Sequence, residues 1–512
     1  MKKTLFSLFL ATVSLSPVFA QQFALIQNTT LKSIGSTTTD FVAIPVDQID
    51  KITYERGGDD LLPDQLATDP KTTIFSAALQ LTGLADTLRN CIYADYEQPE
   101  NLKYYYVADL WHEVAWHNER RFRTFTVFAE TDEVLASQGI TSLEQLRAYA
   151  KTVYDAVYPE DAAITDPTDR RNSLNRFVAY HVLPQGLSYY YLTVYDGKEL
   201  EKCVDRNLTD IAAWYATLMP HAAMKCSYPK MPEESADEGL YLNRRGLKDG
   251  PDRYGQQVRG TKILSDEATG GFDHPCLNGC YFHIDRILTY DAQTRDNVLG
   301  GELWRVDFKT LSPDIMNNAD ELRGYYLVDD NSGHPDDSYI PKNGRNYIYD
   351  WDALENFKAN EDNESPGLIA RRAHANFWSW QGDEVLLLGK ADFTVKLPPL
   401  PAGEWEIRMS QLVLSEPTPI KAYLNDQLVL DVANELPKTL KGPKACCHFN
   451  SYGAYRFSDN DHFQRYVIGR LQSDGKSDNY LRIYATPQYE AQLDYLEFVP
   501  KAIVDNTEIP EE

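Results

Sequence analysis

The sequence predicts a multi-domain protein in which an α+β domain is followed by an all-β sandwich. Three observations predict this order: the length of 512 residues, apolar residues at helical spacing in the first half, and short β-type runs between turns after about residue 292. Hydrophobic residues make up 43% and charged residues 25%, which is typical of folded chains rather than disordered ones.

The chain is strongly acidic, with a formal net charge of −26. Affinity for a phosphate backbone comes mainly from clustered Lys and Arg side chains, so this charge argues against a nucleic-acid partner. It argues equally against docking on anionic lipid.

Residues 1–20 have the pattern of a cleaved signal peptide: Lys2 and Lys3, an apolar run to Leu15, and a small residue at Ala20. We therefore expect an exported protein that is periplasmic, cell-surface associated or secreted. Gln21 follows the expected cleavage point, so no lipoprotein-type anchor is expected. No later apolar stretch predicts direct membrane insertion.

The first half carries helical signals. Apolar residues from Ile74 to Leu88 recur at helical spacing, with Thr72 or Thr73 as the N-cap. Residues 41–56 predict one or two strands within an N-terminal strand segment (21–70).

Residues 124–184 predict a strand followed by three helical segments. The strand is 124–129, Thr131 caps the first helix, and residues 141–144 have the capping-box pattern for the second. The third helix carries His181 on its apolar face and ends before Pro184.

The second half carries strand signals. The Asn278-Gly279 turn precedes a strand over 281–288, and later β-type runs alternate with Pro/Gly turns. These runs are residues 392–397, 404–409, 420–426 and 493–499.

Four segments, in order, resemble the fasciclin domain: 74–88, TVFAETDEVL (126–135), FVAYHVLP (177–184) and NGCYFHIDRIL (278–288). The resemblance implies an α+β fasciclin domain over 71–291, enlarged by insertions near 91–122, 158–172 and 195–275, and a role in adhesion. Glu130 and Cys280 depart from the family pattern, which favours Pro and a β-branched residue there.

Residues 292–503 resemble a galactose-binding-like β-sandwich of the jelly-roll type, as found after fasciclin domains in exported proteins of the Bacteroidetes kind. The similarity rests on residues 387–409, 420–429 and 480–501. It implies a fold more strongly than it implies sugar binding. Residues 504–512 form an acidic tail.

Two aromatic pairs are candidate binding residues. Tyr180 and His181 match the Tyr-His pair that the fasciclin resemblance links to adhesion, although His181 also fits a buried core histidine. Trp378 and Trp380, with Trp351 upstream, suit a sugar-stacking platform or one buried face of a strand.

The closing fasciclin motif implies structural roles for Asn278, Gly279, His283 and Asp285. The same segment contains a His-Cys-Cys-His cluster, at 274, 276, 280 and 283. Its spacing is too compressed for one zinc tetrahedron, so we expect no bound metal, and a disulfide between Cys276 and Cys280 is an alternative. Residues 329–337 resemble a calcium loop but lack its closing carboxylate, which favours a solvated acidic loop.

No nucleophile, metalloprotease or nucleotide-binding motif is present, so the sequence predicts a non-enzyme without a cofactor. The predicted function is an exported binding or adhesion protein whose partner is an extracellular protein or a neutral glycan. The alternative is a carbohydrate-capture or carbohydrate-active protein in which the sandwich contacts sugar. The oligomeric state is left open.

Overall fold

The computed structural model divides the chain into two compact units, Met1–Arg56 and Gly57–Glu512. It describes residues 6–11, 23–28, 41–45, 60–91, 105–106, 114–117, 123–193, 210–229, 239–247, 257–267, 269–318, 346–351, 354–372, 383–413, 420–431, 462–486 and 490–505.

The described part of the first unit is a three-stranded antiparallel sheet, in the order β1-β2-β3. Its strands are β1 (Phe6–Ala11), β2 (Phe23–Asn28) and β3 (Phe41–Pro45). β3 confirms a strand predicted near residue 41. β1 lies inside the segment predicted as a signal peptide, and that assignment stays a prediction.

Most of the described helices of the second unit lie in its first part, before residue 193. The helices are α1 (Leu62–Thr68), α2 (Thr73–Leu81), α3 (Leu84–Arg89), α4 (Asp132–Ser137), α5 (Leu143–Val157), α6 (Ser173–Tyr180), α7 (Tyr189–Leu192), α8 (Pro313–Asn318) and α9 (Lys501–Asp505). Single 3₁₀ turns occur at Pro159–Asp161 and Phe308–Leu311, and a π-helical turn at Gln293–Leu299.

Local capping explains where several of these helices begin. The Thr131 side chain accepts a hydrogen bond from the Val134 N–H, and that of Ser142 accepts one from the Gln145 N–H. The predicted start of α4 is therefore confirmed, whereas α5 begins one residue later than the capping-box pattern at 141–144 indicates, because Ser142 rather than Thr141 is its N-cap. The single helix predicted over 74–88 is two helices instead, because Gly83 between them has a φ of +70°.

Two four-stranded sheets lie in this first part, with the orders β12-β13-β6-β7 and β11-β10-β9-β8. The strands are β6 (Phe125–Glu130), β7 (Val182–Leu183), β8 (Asp210–Ala216), β9 (Ala223–Pro229), β10 (Tyr241–Leu242), β11 (Thr261–Lys262), β12 (His274–Cys276) and β13 (Gly279–Ile284). The strand predicted over 124–129 pairs in parallel with β13, so two of the fasciclin-like segments lie side by side.

The remaining strands of the described residues form a nine-stranded and a five-stranded sheet, so the described part of the chain is largely β-structure with some helices. The strands are β4 (Tyr105–Tyr106), β5 (Val114–His117), β14 (Trp304–Asp307), β15 (Asn346–Asp350), β16 (Phe357–Ala359), β17 (Gly367–Arg372), β18 (Asp383–Leu388), β19 (Ala391–Lys396), β20 (Gly403–Val413), β21 (Ile420–Leu424), β22 (Gln427–Asp431), β23 (His462–Ser473), β24 (Tyr480–Ala485) and β25 (Glu490–Pro500).

Buried residues of the two larger sheets share one core, as in a β-sandwich. Phe393 of β19 and Ile483 of β24 belong to the same apolar cluster as Ile407 of β20 and Leu493 of β25. The strands predicted near 392, 404, 420 and 493 are confirmed as β19, β20, β21 and β25.

The same core continues across residue 291, where the sequence predicts a domain boundary. Trp214 of β8 stacks on Trp304 of β14, with ring centroids 4.6 Å apart. In addition, β5, from the predicted insertion at 91–122, pairs with β15, and β4 pairs with β5 at the edge of the nine-stranded sheet. The boundary itself stays a prediction.

Candidate functional site

An open cleft lies in the second unit, between its helical part and the strands that follow it. It consists of two recesses of about 410 and 270 Å³ that share Pro184, Leu218, Pro313 and Glu355, and we call it the Glu355 cleft. Binding sites for small molecules are usually concave, mostly apolar and supplied with a few fixed polar groups. This cleft is therefore the first candidate for ligand binding.

Asn317 fixes one wall of the larger recess. Its Oδ1 atom accepts hydrogen bonds from the Thr124 hydroxyl at 2.6 Å and from the Gly186 N–H at 3.2 Å. Its Nδ2 atom donates to the Pro184 carbonyl at 3.2 Å. Because three bonds hold this side chain, the wall is organised before any ligand arrives.

An ion pair borders the same recess. The Arg123 Nη2 atom lies 3.2 Å from Glu355 Oε1, and the two side chains are 45% and 43% exposed. Half-exposed guanidinium and carboxylate groups offer donors and acceptors to hydroxyl groups of a ligand.

A second set of ionisable side chains, Lys396, Asp478 and His221, lines the smaller recess. Lys396 Nζ lies 2.9 Å from Asp478 Oδ2, and His221 Nδ1 lies 3.6 Å from Asp478 Oδ1. His221 has a φ of +56°, a conformation that costs a non-glycine residue about 1 kcal/mol or more and that occurs often at functional sites. The buried Trp214 also lines this recess.

The candidate pair Tyr180 and His181 lies in the core, where neither side chain is exposed. The Tyr180 hydroxyl is 2.9 Å from Asn243 Oδ1, and His181 Nε2 is 2.8 Å from Glu130 Oε1. Neither side chain can touch a ligand in this conformation, so their position fits the core-histidine interpretation. Trp351 is also buried and donates to the Ser365 carbonyl at 2.9 Å.

Trp378, Trp380 and the calcium-like loop at 329–337 lie outside the described residues. Their suggested roles stay predictions.

The closing fasciclin-like motif connects distant parts of the chain. The Asn278 Oδ1 atom accepts from the Leu62 N–H at 2.8 Å, and its Nδ2 atom donates to the Leu88 carbonyl at 2.7 Å. Asp285 accepts a hydrogen bond from the Lys262 N–H at 2.8 Å and pairs with Arg259. Both residues thus connect segments that are distant in sequence, and the structural roles that the resemblance implies stay predictions.

Two of the four predicted metal-type residues converge, but with unexpected partners. His274 and His283 lie with Asp69 and Asp266 in a buried group that we call the His/Asp cluster. His283 Nε2 is 2.8 Å from Asp69 Oδ2, and its Nδ1 is 3.4 Å from Asp266 Oδ2.

The two cysteines of the motif take no part in this cluster. Cys276 and Cys280 are both buried free thiols, so the suggested disulfide is wrong. They face different partners, because the Cys280 thiol donates to the Leu187 carbonyl at 2.8 Å whereas that of Cys276 lies against the His274 carbonyl.

The surroundings lower the pKa of two cluster members, His283 and Asp69. Burial lowers the pKa of the His283 imidazole below its ordinary value, and the hydrogen bond to Asp69 only partly opposes this. Burial acts to raise the pKa of Asp69, but hydrogen bonds from the Lys71 N–H and from His283 outweigh it, so the net direction is downward.

Sequence reasoning missed Asp69 and Asp266 as cluster members, and it missed the Glu355 cleft. The cleft joins residues as far apart in sequence as Gly83 and Asp478, and Asp69 is 214 positions from His283. No local spacing reports such contacts, since the His/Asp cluster depends on how α1 packs on the β12–β13 hairpin and the cleft depends on how other distant segments pack.

No protein-family profile and no curated protein matches the chain. Three solved structures are weakly similar. A GH26-CBM35 β-(1,4)-mannanase from Podospora anserina is 10% identical over 28% of this chain and 27% of that chain, with a TM-score of 0.18. The insecticidal crystal protein Cry2Aa is 10% identical over 72% of this chain and 69% of that one, also at 0.18.

The third, an exo-β-1,3-galactanase from Phanerochaete chrysosporium with galactose, is 12% identical over 54% of each chain, with a TM-score of 0.15. The chain thus spans about a quarter of the mannanase and about half of the galactanase. These scores are too low to support an argument about fold or function. Among the helices of the described residues, none is both long and apolar enough to cross a bilayer.

Proposed function

We propose that this protein is an exported, non-catalytic binding protein that holds a neutral glycan in the Glu355 cleft. The observation that carries the proposal is the cleft itself: two adjoining recesses of about 410 and 270 Å³ with fixed hydrogen-bonding groups on their walls. Spaces of this size suit a few sugar rings, whereas a protein partner would need a much broader surface.

The polar groups of the cleft suit hydroxyl-rich ligands. The Arg123–Glu355 pair can donate and accept at one point, and the Asp478 carboxylate with Lys396 repeats this arrangement in the smaller recess. The net charge of −26 opposes the approach of a polyanion. We therefore expect a neutral glycan and an affinity that changes little with ionic strength.

The test is a glycan array with the purified protein, run beside extracellular matrix proteins, followed by calorimetric titration of the best glycan. Leu218→Trp fills the cleft, and Glu355→Gln removes one charge without changing side-chain size. Leu428→Trp and Glu361→Gln are matched controls, because Leu428 is 53% exposed and neither residue lines the cleft.

We expect Leu218→Trp to weaken glycan binding at least tenfold and Glu355→Gln to weaken it severalfold, while both controls bind normally. Binding to a matrix protein alone would contradict the glycan assignment. Release of shortened glycan during the titration would favour the carbohydrate-active alternative instead.

A further inference from the structure

We propose that Asp69, His274 and His283 bind one divalent transition metal ion of the zinc class, with Asp266 as the carboxylate that orients the ligands. One donor atom from each of the three ligands lies within 4.8 Å of the others. This inference does not depend on the proposed glycan function.

Both ring nitrogens of His274 face hydrogen-bond acceptors. The Nδ1 atom lies 3.2 Å from the Tyr281 carbonyl oxygen, and the Nε2 atom lies 3.1 Å from the Asp266 carboxylate. A neutral ring has only one N–H, so one of its nitrogens directs a lone pair at an acceptor oxygen.

His283 presents the same conflict. It lies between two carboxylates, with Nε2 facing Asp69 and Nδ1 facing Asp266. A neutral imidazole has only one N–H, so it can satisfy only one of them. The other nitrogen then directs a lone pair at a carboxylate oxygen.

Positive charge inside the cluster resolves both contacts. The ring centroids of His274 and His283 are 4.4 Å apart, and each ring is less than one-tenth exposed. A single divalent cation between these side chains accepts both lone pairs and attracts both carboxylates.

Lys71 does not replace that cation. Its ammonium group lies 2.8 Å from Asp266 Oδ2, but the side chain is half exposed and donates from the solvent side. It offsets the negative charge of the Asp266 carboxylate but makes no contact with the lone pairs of the two imidazole rings.

The donors also fit the chemistry of zinc. Two imidazole nitrogens and one carboxylate oxygen are ordinary zinc ligands, and three protein ligands leave a fourth position for water. In a tetrahedral zinc site, two donor atoms lie about 3.3 Å apart. Small side-chain rotations would bring the three donors to this separation. The Nδ1–H of His283 would then donate to Asp266, the usual carboxylate support of a metal-bound histidine.

This inference replaces the expectation that no metal binds, which considered only His and Cys residues close in sequence. The test is a titration of chelator-treated full-length protein with Zn²⁺ against a chromophoric competitor, and with Co²⁺ followed by visible absorption. We expect one equivalent to bind, and a Co²⁺ spectrum of nitrogen and oxygen ligands without a thiolate charge-transfer band.

Asp69→Asn should abolish binding or weaken it more than a hundredfold, and Asp266→Asn should weaken it about 10- to 100-fold. Cys276→Ser is the control and should bind like the unaltered protein. Circular dichroism of each variant in the presence of chelator shows whether it is folded. The Co²⁺ spectrum of the unaltered chain tests the ligand set even when a variant does not fold. Failure to bind any metal, a thiolate band, or loss of binding in Cys276→Ser alone would overturn the proposal.

Discussion

The Nε2 atom of His181 lies 2.8 Å from Glu130 Oε1, and neither side chain is exposed. The same Oε1 atom accepts a hydrogen bond from the Leu288 N–H at 2.9 Å. Glu130 therefore links the end of β6, the end of α6 and the segment after β13. It is also one of the two residues, with Cys280, at which the fasciclin-like segments depart from the family pattern.

Replacing Glu130 should destabilise the second unit. Glu130→Ala leaves the His181 ring and the Leu288 N–H buried without an acceptor, which should reduce the free energy of unfolding by about 3 kcal/mol. Urea unfolding followed by circular dichroism measures this. Glu361→Ala, at an exposed turn, is the control and should change it by less than about 0.5 kcal/mol. Equal losses in the two variants would mean that the buried pair contributes nothing.

Gly279 should tolerate no side chain. Its φ is +139°, and a Cβ atom there would lie 1.9 Å from the Phe125 carbonyl oxygen, on the strand that pairs with β13. Gly279→Ala should therefore cost about 3 kcal/mol or more in unfolding free energy. Gly271→Ala is the matched control, because nothing lies within 4 Å of its added Cβ. A Gly279 variant as stable as this control would show that the β6–β13 pairing is wrong.

Cys276 should be unreactive in the folded protein. Burial raises the pKa of its thiol to about 12, so at pH 8 only about one molecule in ten thousand carries the thiolate that alkylating reagents attack. Iodoacetamide treatment followed by peptide mass spectrometry should find Cys276 unmodified in native protein and modified in urea. Rapid modification under native conditions would contradict its burial.

The Asp392–Arg482 pair should make stability depend on acid pH. Two hydrogen bonds of 2.8 and 2.7 Å join the carboxylate to the guanidinium. Burial acts to raise the pKa of Asp392, but these bonds lower it overall. The pair therefore stabilises the fold above the unfolded-state pKa, near 3.9, and this contribution disappears as the pH falls through the lowered value.

The corresponding measurement is the urea unfolding free energy at pH 6 and pH 3. The unaltered protein should lose about 1 kcal/mol more on acidification than Asp392→Asn, which has no carboxylate to protonate. Parallel losses in the two proteins would show that the carboxylate keeps its ordinary pKa in the fold.

Local signals predicted individual elements well. Thr131 caps α4 as its sequence pattern indicates, Ser142 caps α5 one residue after the predicted position, and the β-type runs near 392 and 404 are strands. These features depend on neighbours within a few residues, which sequence patterns record directly. The same limit explains a failure: α1 has no predicted counterpart, because its short apolar face is defined by packing on α2 and β13.

The candidate sites depend on long-range packing and were harder to predict. His274 and His283 were recognised as metal-type residues, but Asp69 joins them only because α1 lies beside the β12–β13 hairpin. Tyr180 and His181 were recognised as a motif, while their burial depends on residues as distant as Asn243. Sequence patterns named the side chains but not their surroundings.

Hydrogen–deuterium exchange with and without the best-binding glycan tests the glycan-binding cleft most directly. Peptides that contain Leu218 and Glu355 should exchange more slowly in the presence of the glycan, because these residues line both recesses. A peptide around the exposed Leu428 should be unchanged. Protection confined to regions away from the cleft, or the absence of binding to any neutral glycan, would contradict the proposed function.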